Sequence, residues 1–369
     1  MFTLSIIGRL LLLPFKLLKL TVQYYTVGTV FTNDLANLKL QRVIQAGIMQ
    51  HMVNYLRLSF IHDHAMYKVS DLLEKSKPKL NPENVIPHYG EFYTKKDDSY
   101  PDSIWLTKSN DKENAVIVYL HGGCFAMQLQ DNQLDGVTNI YKSLERSGKS
   151  ISVLLVDYSL TSNGFTYPTQ NNECAHVYDK LVGDGFTNIG LMGDSAGGNL
   201  CLALLYRLSQ KPAYSVVWPS AVILVSAMLD LTKGKFEGSL KENEDVDVFS
   251  WQAINYFGNE YVANTRVFDN EVDVNIAANA SKFSWSSLPP IVKGNLLVIV
   301  GENEVLRDEN LRWCEQAGLV ETYPENIVLD PKGYHITFFA SESVAYGTLS
   351  EWQEQRLTKK ILSFLKEKA

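Results

Sequence analysis

Ile189-Gly190-Leu191-Met192-Gly193-Asp194-Ser195-Ala196-Gly197-Gly198 is the stretch from which the fold can be read. Its apolar first half predicts a short buried strand, and the continuation Asn199-Leu200-Cys201-Leu202-Ala203-Leu204-Leu205 predicts a helix. The pattern G-x-S-x-G stands between them, so Ser195 falls on a sharp strand-to-helix turn. Such a turn pushes the serine into the open, and small flanking residues let the backbone make it. The following helix points its positive N-terminal end at the serine and at any oxyanion formed there. Taken alone, the pattern also fits a glycine-rich turn with a surface serine.

A second motif decides between the two. His121-Gly122-Gly123-Cys124-Phe125 directly follows the apolar run Val116-Ile117-Val118-Tyr119-Leu120. A strand ending in His-Gly-Gly is where α/β-hydrolases of the esterase and lipase type keep an oxyanion loop. The chemistry asks for glycine there, because backbone N–H groups must reach an acyl oxygen that a side chain would obstruct. A serine hydroxyl also needs a base, and in these hydrolases the order along the chain is serine, acid, histidine. Of the seven histidines only His335 follows Ser195. It stands just beyond the strand-like Asn326-Ile327-Val328-Leu329 and the turn Asp330-Pro331-Lys332-Gly333. The acid is expected after the apolar run Leu296-Leu297-Val298-Ile299-Val300, where Glu302, Glu304, Asp308 and Glu309 lie within eight positions. Glu304 is the first candidate and Asp308 the second. The other two read as solvated or first-turn helix charges. A carboxylate in this role orients the imidazole and stabilises the imidazolium.

With these pieces in order, the chain resembles the hormone-sensitive-lipase family of α/β-hydrolases. The matching residues are His121-Gly122-Gly123, Asp157-Tyr158, Gly193 to Gly198, Glu304-Val305-Leu306-Arg307-Asp308 and His335. The late Glu-Val-Leu-Arg-Asp-Glu string and the apolar N-terminus are similar to the fungal branch that includes steryl acetyl hydrolases. The resemblance implies an oxyanion hole built from Gly122, Gly123 and the N–H of Ala196. It also implies attack of Ser195 on an ester carbonyl, with His335 as base, an acyl-enzyme intermediate, and no metal or organic cofactor. Three positions depart from the family pattern: Cys124 stands where a third glycine is usual, Glu304 where aspartate is commoner, and Tyr158-Ser159-Leu160 where Tyr-Arg-Leu is usual. The first departure requires the Cys124 side chain to point away from the oxyanion pocket.

The 369 residues suffice for one large α/β domain with an added cap. A net charge of −7 with no basic run excludes nucleic-acid binding. The four cysteines show no metal-type spacing and read as buried apolar residues. His51, His62 and His64 read as solvated or capping rather than as metal ligands. Asn279-Ala280-Ser281 is a sequon that matters only in a secretory lumen.

Residues 1–31 form an apolar segment in which Ser5, Arg9, Lys16, Lys19 and Gln23 share one narrow helical stripe. The pattern suits a helix lying in a membrane interface, kinked by Pro14. A membrane-associated protein is therefore expected, with the endoplasmic reticulum as its membrane. Residues 32–90 read as N-terminal cap helices followed by a proline-bearing linker at 76–90. Residues 91–369 read as the catalytic domain, an alternation of strands and helices that predicts a mostly parallel central sheet flanked by helices. Around 231–290 the rhythm breaks for about sixty residues, which predicts a second cap insertion. Its aromatics, Trp251, Tyr256, Phe257, Tyr261, Phe283 and Trp285, suit either an apolar pocket or packing of the cap on the core. The function these readings favour is hydrolysis of a lipophilic short-acyl ester such as a steryl acetate. An arylformamidase-type amide hydrolase and a catalytically inactive ligand receptor on the same fold are the alternatives.

Overall fold

The computed structural model describes residues 11–29, 40–55, 57–64, 66, 69, 72, 103–109, 111–231, 235–262, 278, 283–342 and 348–369. The linker at 76–90, the sequon at 279–281 and the first ten residues of the apolar segment lie outside them.

Seven strands form one sheet: β1 (Ser103–Thr107), β2 (Ala115–Leu120), β3 (Ile151–Val156), β4 (Ile189–Asp194), β5 (Ala221–Val225), β6 (Leu296–Gly301) and β7 (Ile327–Asp330). Their order is β1-β3-β2-β4-β5-β6-β7. β1 runs antiparallel to β3, and every other neighbouring pair is parallel. The apolar runs at 116–120, 151–156, 189–193, 221–226, 296–300 and 326–329 are β2 to β7. β1 has only five residues and a polar residue at each end; pairing with β3 makes it a strand.

β2 to β6 are buried along their whole length, as their largely apolar runs require, while β7 at the sheet edge exposes Leu329. Successive side chains alternate between two cores. Val116, Val118, Leu120, Leu191, Val222 and Leu224 face one core, while Ile117, Tyr119, Met192, Ile223 and Val225 face the other. Among helices of seven residues or more, α1 (Leu13–Thr26), α2 (Leu40–Val53) and α3 (Leu58–His64) precede the sheet. The rest are α4 (Asp131–Arg146), α5 (Thr169–Gly183), α6 (Ala196–Ser209), α7 (Trp251–Val262), α8 (Arg307–Gln316) and α9 (Arg356–Lys368). Helices α5, α6 and α8 cover the first face, and α4 and α9 cover the second.

Pro14 sits in the first turn of α1, where its missing N–H costs nothing, so it starts the described helix rather than kinking it. Helix α1 packs on α2 through Leu20, Val43 and Ile44, in a cluster that also takes in Val248 and Tyr334. The basic stripe does not all face outward: Lys16 is half-buried near Asp245, and burial lowers its pKa to about 8. Lys19 is exposed, and so are the apolar side chains of Leu11, Leu12, Phe15, Leu18, Val22, Tyr25 and Val27, Phe15 at 71 %. His51 is buried against the Tyr55 ring rather than solvated, while His62 is exposed and bonded to Asp63.

Among the described residues, the segment between β5 and β6 contains α7 and three shorter helical turns. Phe257, Tyr261 and Trp285 are fully buried in the first core, so these three aromatics pack this segment on the sheet. All four cysteines are buried, and none forms a disulfide.

Candidate active site

All strands except β1 are parallel, so the loops after β2, β4, β6 and β7 open on one edge of the sheet, where such folds keep their sites. Ser195 follows β4 at the middle of that edge. It holds φ 51°, ψ −117°, a left-handed strain a non-glycine residue adopts only when its surroundings impose it. Its N–H donates to Val225 O at 2.9 Å, and its carbonyl accepts from Met228 N at 2.9 Å. The turn needs glycine at 197, where a Cβ would stand 1.8 Å from Leu120 O.

His335, on the loop after β7, brings Nε2 to 3.0 Å from Ser195 Oγ. Its Nδ1 lies 2.8 Å from Glu304 Oε1. Glu304 has no exposed surface. Its second oxygen accepts from Ser226 Oγ and from Gly301 N, both at 2.9 Å. Ser226 Oγ in turn accepts the N–H of Ile336 at 2.9 Å, so this serine ties the histidine loop to the acid. The Phe249 ring lies parallel to the imidazole at 5.1 Å. Burial opposes a charge on His335, but the bond to Glu304 and the charges of Glu304, Asp247 and Asp194 outweigh it, so its pKa is raised. Asp308 is engaged elsewhere, accepting Ser239 N at 2.8 Å and Arg307 Nε at 2.8 Å. Glu302 accepts Lys332 N at the surface. Glu309 is a first-turn charge of α8, half-buried and accepting Leu229 N at 2.7 Å.

The loop after β2 departs from expectation at one residue. Gly122 N–H donates to Asp194 Oδ1 at 2.9 Å, so it is committed and does not point at an acyl oxygen. Glycine is required there because a Cβ would meet Asp194 Oδ2 at 2.3 Å. Asp194 also accepts Tyr119 Oη at 2.5 Å and Gln133 Nε2 at 2.8 Å. Burial raises the Asp194 pKa despite these three donors. Beyond Gly122 the chain makes a tight turn, with Ala126 N bonded to Gly123 O at 2.9 Å. Its central residues, Cys124 and Phe125, hold φ 57° and 59°. Stacking of Phe125 on Tyr261 at 3.7 Å, and Thr161 N donating to Phe125 O at 2.8 Å, hold that strain. No acceptor among the described residues takes the N–H of Gly123, Cys124 or Ala196. The free donors are therefore these three, with Cys124 in place of Gly122. The Cys124 side chain is buried in the first core. A motif that reads His-Gly-Gly hides this, since the difference lies in which N–H the Asp194 carboxylate takes.

His121 is buried and stacked on Tyr158 at 4.3 Å, and Tyr158 Oη donates to His121 O at 2.7 Å. Burial lowers the His121 pKa to about 4, which keeps it neutral. Asp247 was not singled out by sequence, yet it is wholly buried beside His335 and Glu304. Among the described residues no group of His, Cys, Asp or Glu is arranged to hold a metal ion.

A hydroxyl, an imidazole and a carboxylate in line, beside three free N–H groups, can carry out acyl transfer. Fold and site together define an α/β-hydrolase of the esterase class. A family model described as steryl acetyl hydrolase matches residues 4–364. The Schizosaccharomyces pombe protein named "Putative steryl acetyl hydrolase mug81" is 39 % identical over 381 residues, covering 100 % of this chain and 99 % of that one. Steryl acetyl hydrolase 1 of Saccharomyces cerevisiae is 25 % identical over 234 residues, 60 % of this chain and 53 % of that one. The crystal structure of an esterase from the bacterial hormone-sensitive lipase family superposes with a TM-score of 0.60 at 18 % identity, covering 88 % of this chain and 98 % of that one. The chain belongs to the steryl acetyl hydrolase family and is an ester hydrolase.

Proposed function

We propose that this protein hydrolyses a lipophilic short-acyl ester, of which a steryl acetate is the favoured example, through an acyl-enzyme on Ser195. The observation that carries the reading is the unbroken chain Ser195 Oγ, His335 Nε2, His335 Nδ1, Glu304 Oε1, with contacts of 3.0 and 2.8 Å. In it His335 takes the serine proton as Oγ attacks the carbonyl carbon, and Glu304 steadies the imidazolium. The N–H groups of Gly123, Cys124 and Ala196 receive the oxyanion. His335 then returns the proton to the departing alcohol, and water, activated by the same imidazole, releases the acid. The steryl substrate is supported by family membership and by the names of the relatives.

The same reading places the enzyme at a membrane surface through α1. Its outward face is a row of exposed apolar side chains. Among the described residues no helix is long and apolar enough to cross a membrane, and an apolar face beside basic residues suits the interface.

Hydrolysis of p-nitrophenyl acetate, butyrate and decanoate and of a steryl acetate, by wild type and by Ser195→Ala, tests the enzymatic part. Short-chain preference, release of sterol and loss of all turnover in the variant are expected. Persistent turnover in Ser195→Ala would refute the serine route. Turnover of N-formylkynurenine in preference to every ester would move the assignment to an amidase, and ligand binding without acylation would move it to a receptor.

A further inference from the structure

Asp247 lies between β5 and β6, far in sequence from either loop of the Ser195–His335–Glu304 cluster, and has no exposed surface. Its two oxygens accept three backbone N–H groups. Oδ1 takes Val248 N at 2.7 Å and His335 N at 2.8 Å, and Oδ2 takes Val305 N at 2.7 Å. Val305 is the residue after Glu304. One carboxylate therefore holds the backbones of the two loops whose side chains must meet.

The rest of the segment works in the same direction. Asn243 Nδ2 donates to Glu304 O at 2.9 Å, and Ser239 Oγ donates to Val305 O at 2.8 Å. Phe249, two residues beyond Asp247, lies flat against the imidazole. The segment is itself held from α2, where Gln50 Nε2 donates to Asp247 O.

We propose that Asp247 is a positioning residue for the base, clamping the His335 and Glu304 loops in register and adding a further negative charge beside the imidazolium. This rests on the assignment of His335 as base. A short loop held only by Glu304 could rotate the imidazole away from Ser195, and a misplacement of about 1 Å costs on the order of 10²-fold in rate. The carboxylates facing His335 are Glu304 on the β6 loop, Asp247 on the inserted segment and Asp194 at the end of β4. Burial raises Asp247 itself to about 7, the charge of His335 pulling the other way. Removal of its charge leaves two carboxylates facing His335.

The test compares Asp247→Asn, Asp247→Glu and Gln50→Ala with wild type. For each, kcat and KM for p-nitrophenyl butyrate are measured from pH 5 to 9. An independent NMR titration of the His335 ring is assigned by its loss in His335→Gln. Asp247→Asn keeps the shape but loses the charge and turns one N–H against an N–H. Its kcat falls at least 10-fold with little change in KM, and the His335 titration moves down by roughly one pH unit. Asp247→Glu keeps the charge and shifts the clamp, so kcat falls while the titration stays near wild type. Gln50→Ala loosens the clamp from outside, lowering kcat a few-fold with the titration unmoved.

A folded Asp247→Asn with wild-type kcat and an unmoved titration would overturn the proposal. A fall in kcat with the titration unmoved would remove the electrostatic part and so overturn it as stated. If Asp247→Asn does not fold, Asp247→Glu and Gln50→Ala decide, and wild-type kcat in both would overturn it. The titration needs no substrate, so a wild type that hydrolyses no ester would sink the functional assignment without deciding this one.

Discussion

Replacement of Glu304 by glutamine tests the site sharply, because its neighbours dictate which way the new amide must turn. The Oε2 side meets two donors, Ser226 Oγ and Gly301 N, both at 2.9 Å. An NH2 placed there would oppose both. The amide therefore keeps its oxygen on that side and turns its nitrogen toward His335 Nδ1, 2.8 Å away. Facing a donor, Nδ1 must become the acceptor, and the ring proton moves to Nε2, opposite Ser195 Oγ. A protonated Nε2 cannot take the serine proton. The expected loss is that of a triad locked in the wrong tautomer, about 10⁴-fold in kcat, or about 5.5 kcal/mol of transition-state stabilisation. The backbone is undisturbed and one buried charge is removed, so folding survives. The assay is p-nitrophenyl butyrate hydrolysis at pH 8, with Ser195→Ala as the floor and Asp308→Asn as the comparison. Asp308 serves Ser239 and Arg307, and its variant should stay within a few-fold of wild type. A Glu304→Gln enzyme that retains more than a tenth of wild-type kcat would rule out Glu304 as the group that sets the imidazole tautomer, and collapse of Asp308→Asn in its place would reassign the acid.

Three further outcomes are expected. Because the His335 pKa is raised, the imidazolium persists above the ordinary histidine value of about 6.5. Activity should be lost as pH falls through that raised value, and a kcat/KM profile with its acid limb centred below pH 6 would contradict the cause given. Gly122→Ala sets a Cβ 2.3 Å from Asp194 Oδ2 and opens the Gly122–Asp194 bond. Displacing the oxyanion turn in this way should lower kcat about 10²-fold and reduce the thermal midpoint, and kinetics like wild type would show that the turn does not depend on Asp194. Phe15→Glu with Leu18→Glu removes two apolar side chains, each contributing about 1.5–3 kcal/mol on burial. Flotation with phosphatidylcholine vesicles should fall by on the order of 10² or more while p-nitrophenyl acetate turnover is unchanged, and undiminished flotation would sink the role given to α1.

Much of this protein is legible in one dimension because it is local. Six apolar runs become β2 to β7, since a strand buried on both faces, as β2 to β6 are, must be largely apolar. The strand, glycine turn and helix around Ser195 lie within about twenty residues, and chain order singles out His335. The edge strand β1 is missed because its burial comes from β3 rather than from its own composition. Sequence order leaves Glu304 and Asp308 as rivals four residues apart. Only the fold turns one toward His335 and the other toward Ser239. Gly122 and Cys124 exchange roles because Asp194, 72 residues away along the chain, takes the N–H of the first. Asp247 shows no motif at all, and it reaches His335 across a separation of 88 residues. Short-range pattern and chain order thus suffice for strands β2 to β7, for the elbow and for putting forward Ser195 and His335. Which carboxylates and which N–H groups face them is set in three dimensions, because hydrogen bonds between distant loops depend on where packing brings the loops, and no local pattern encodes that.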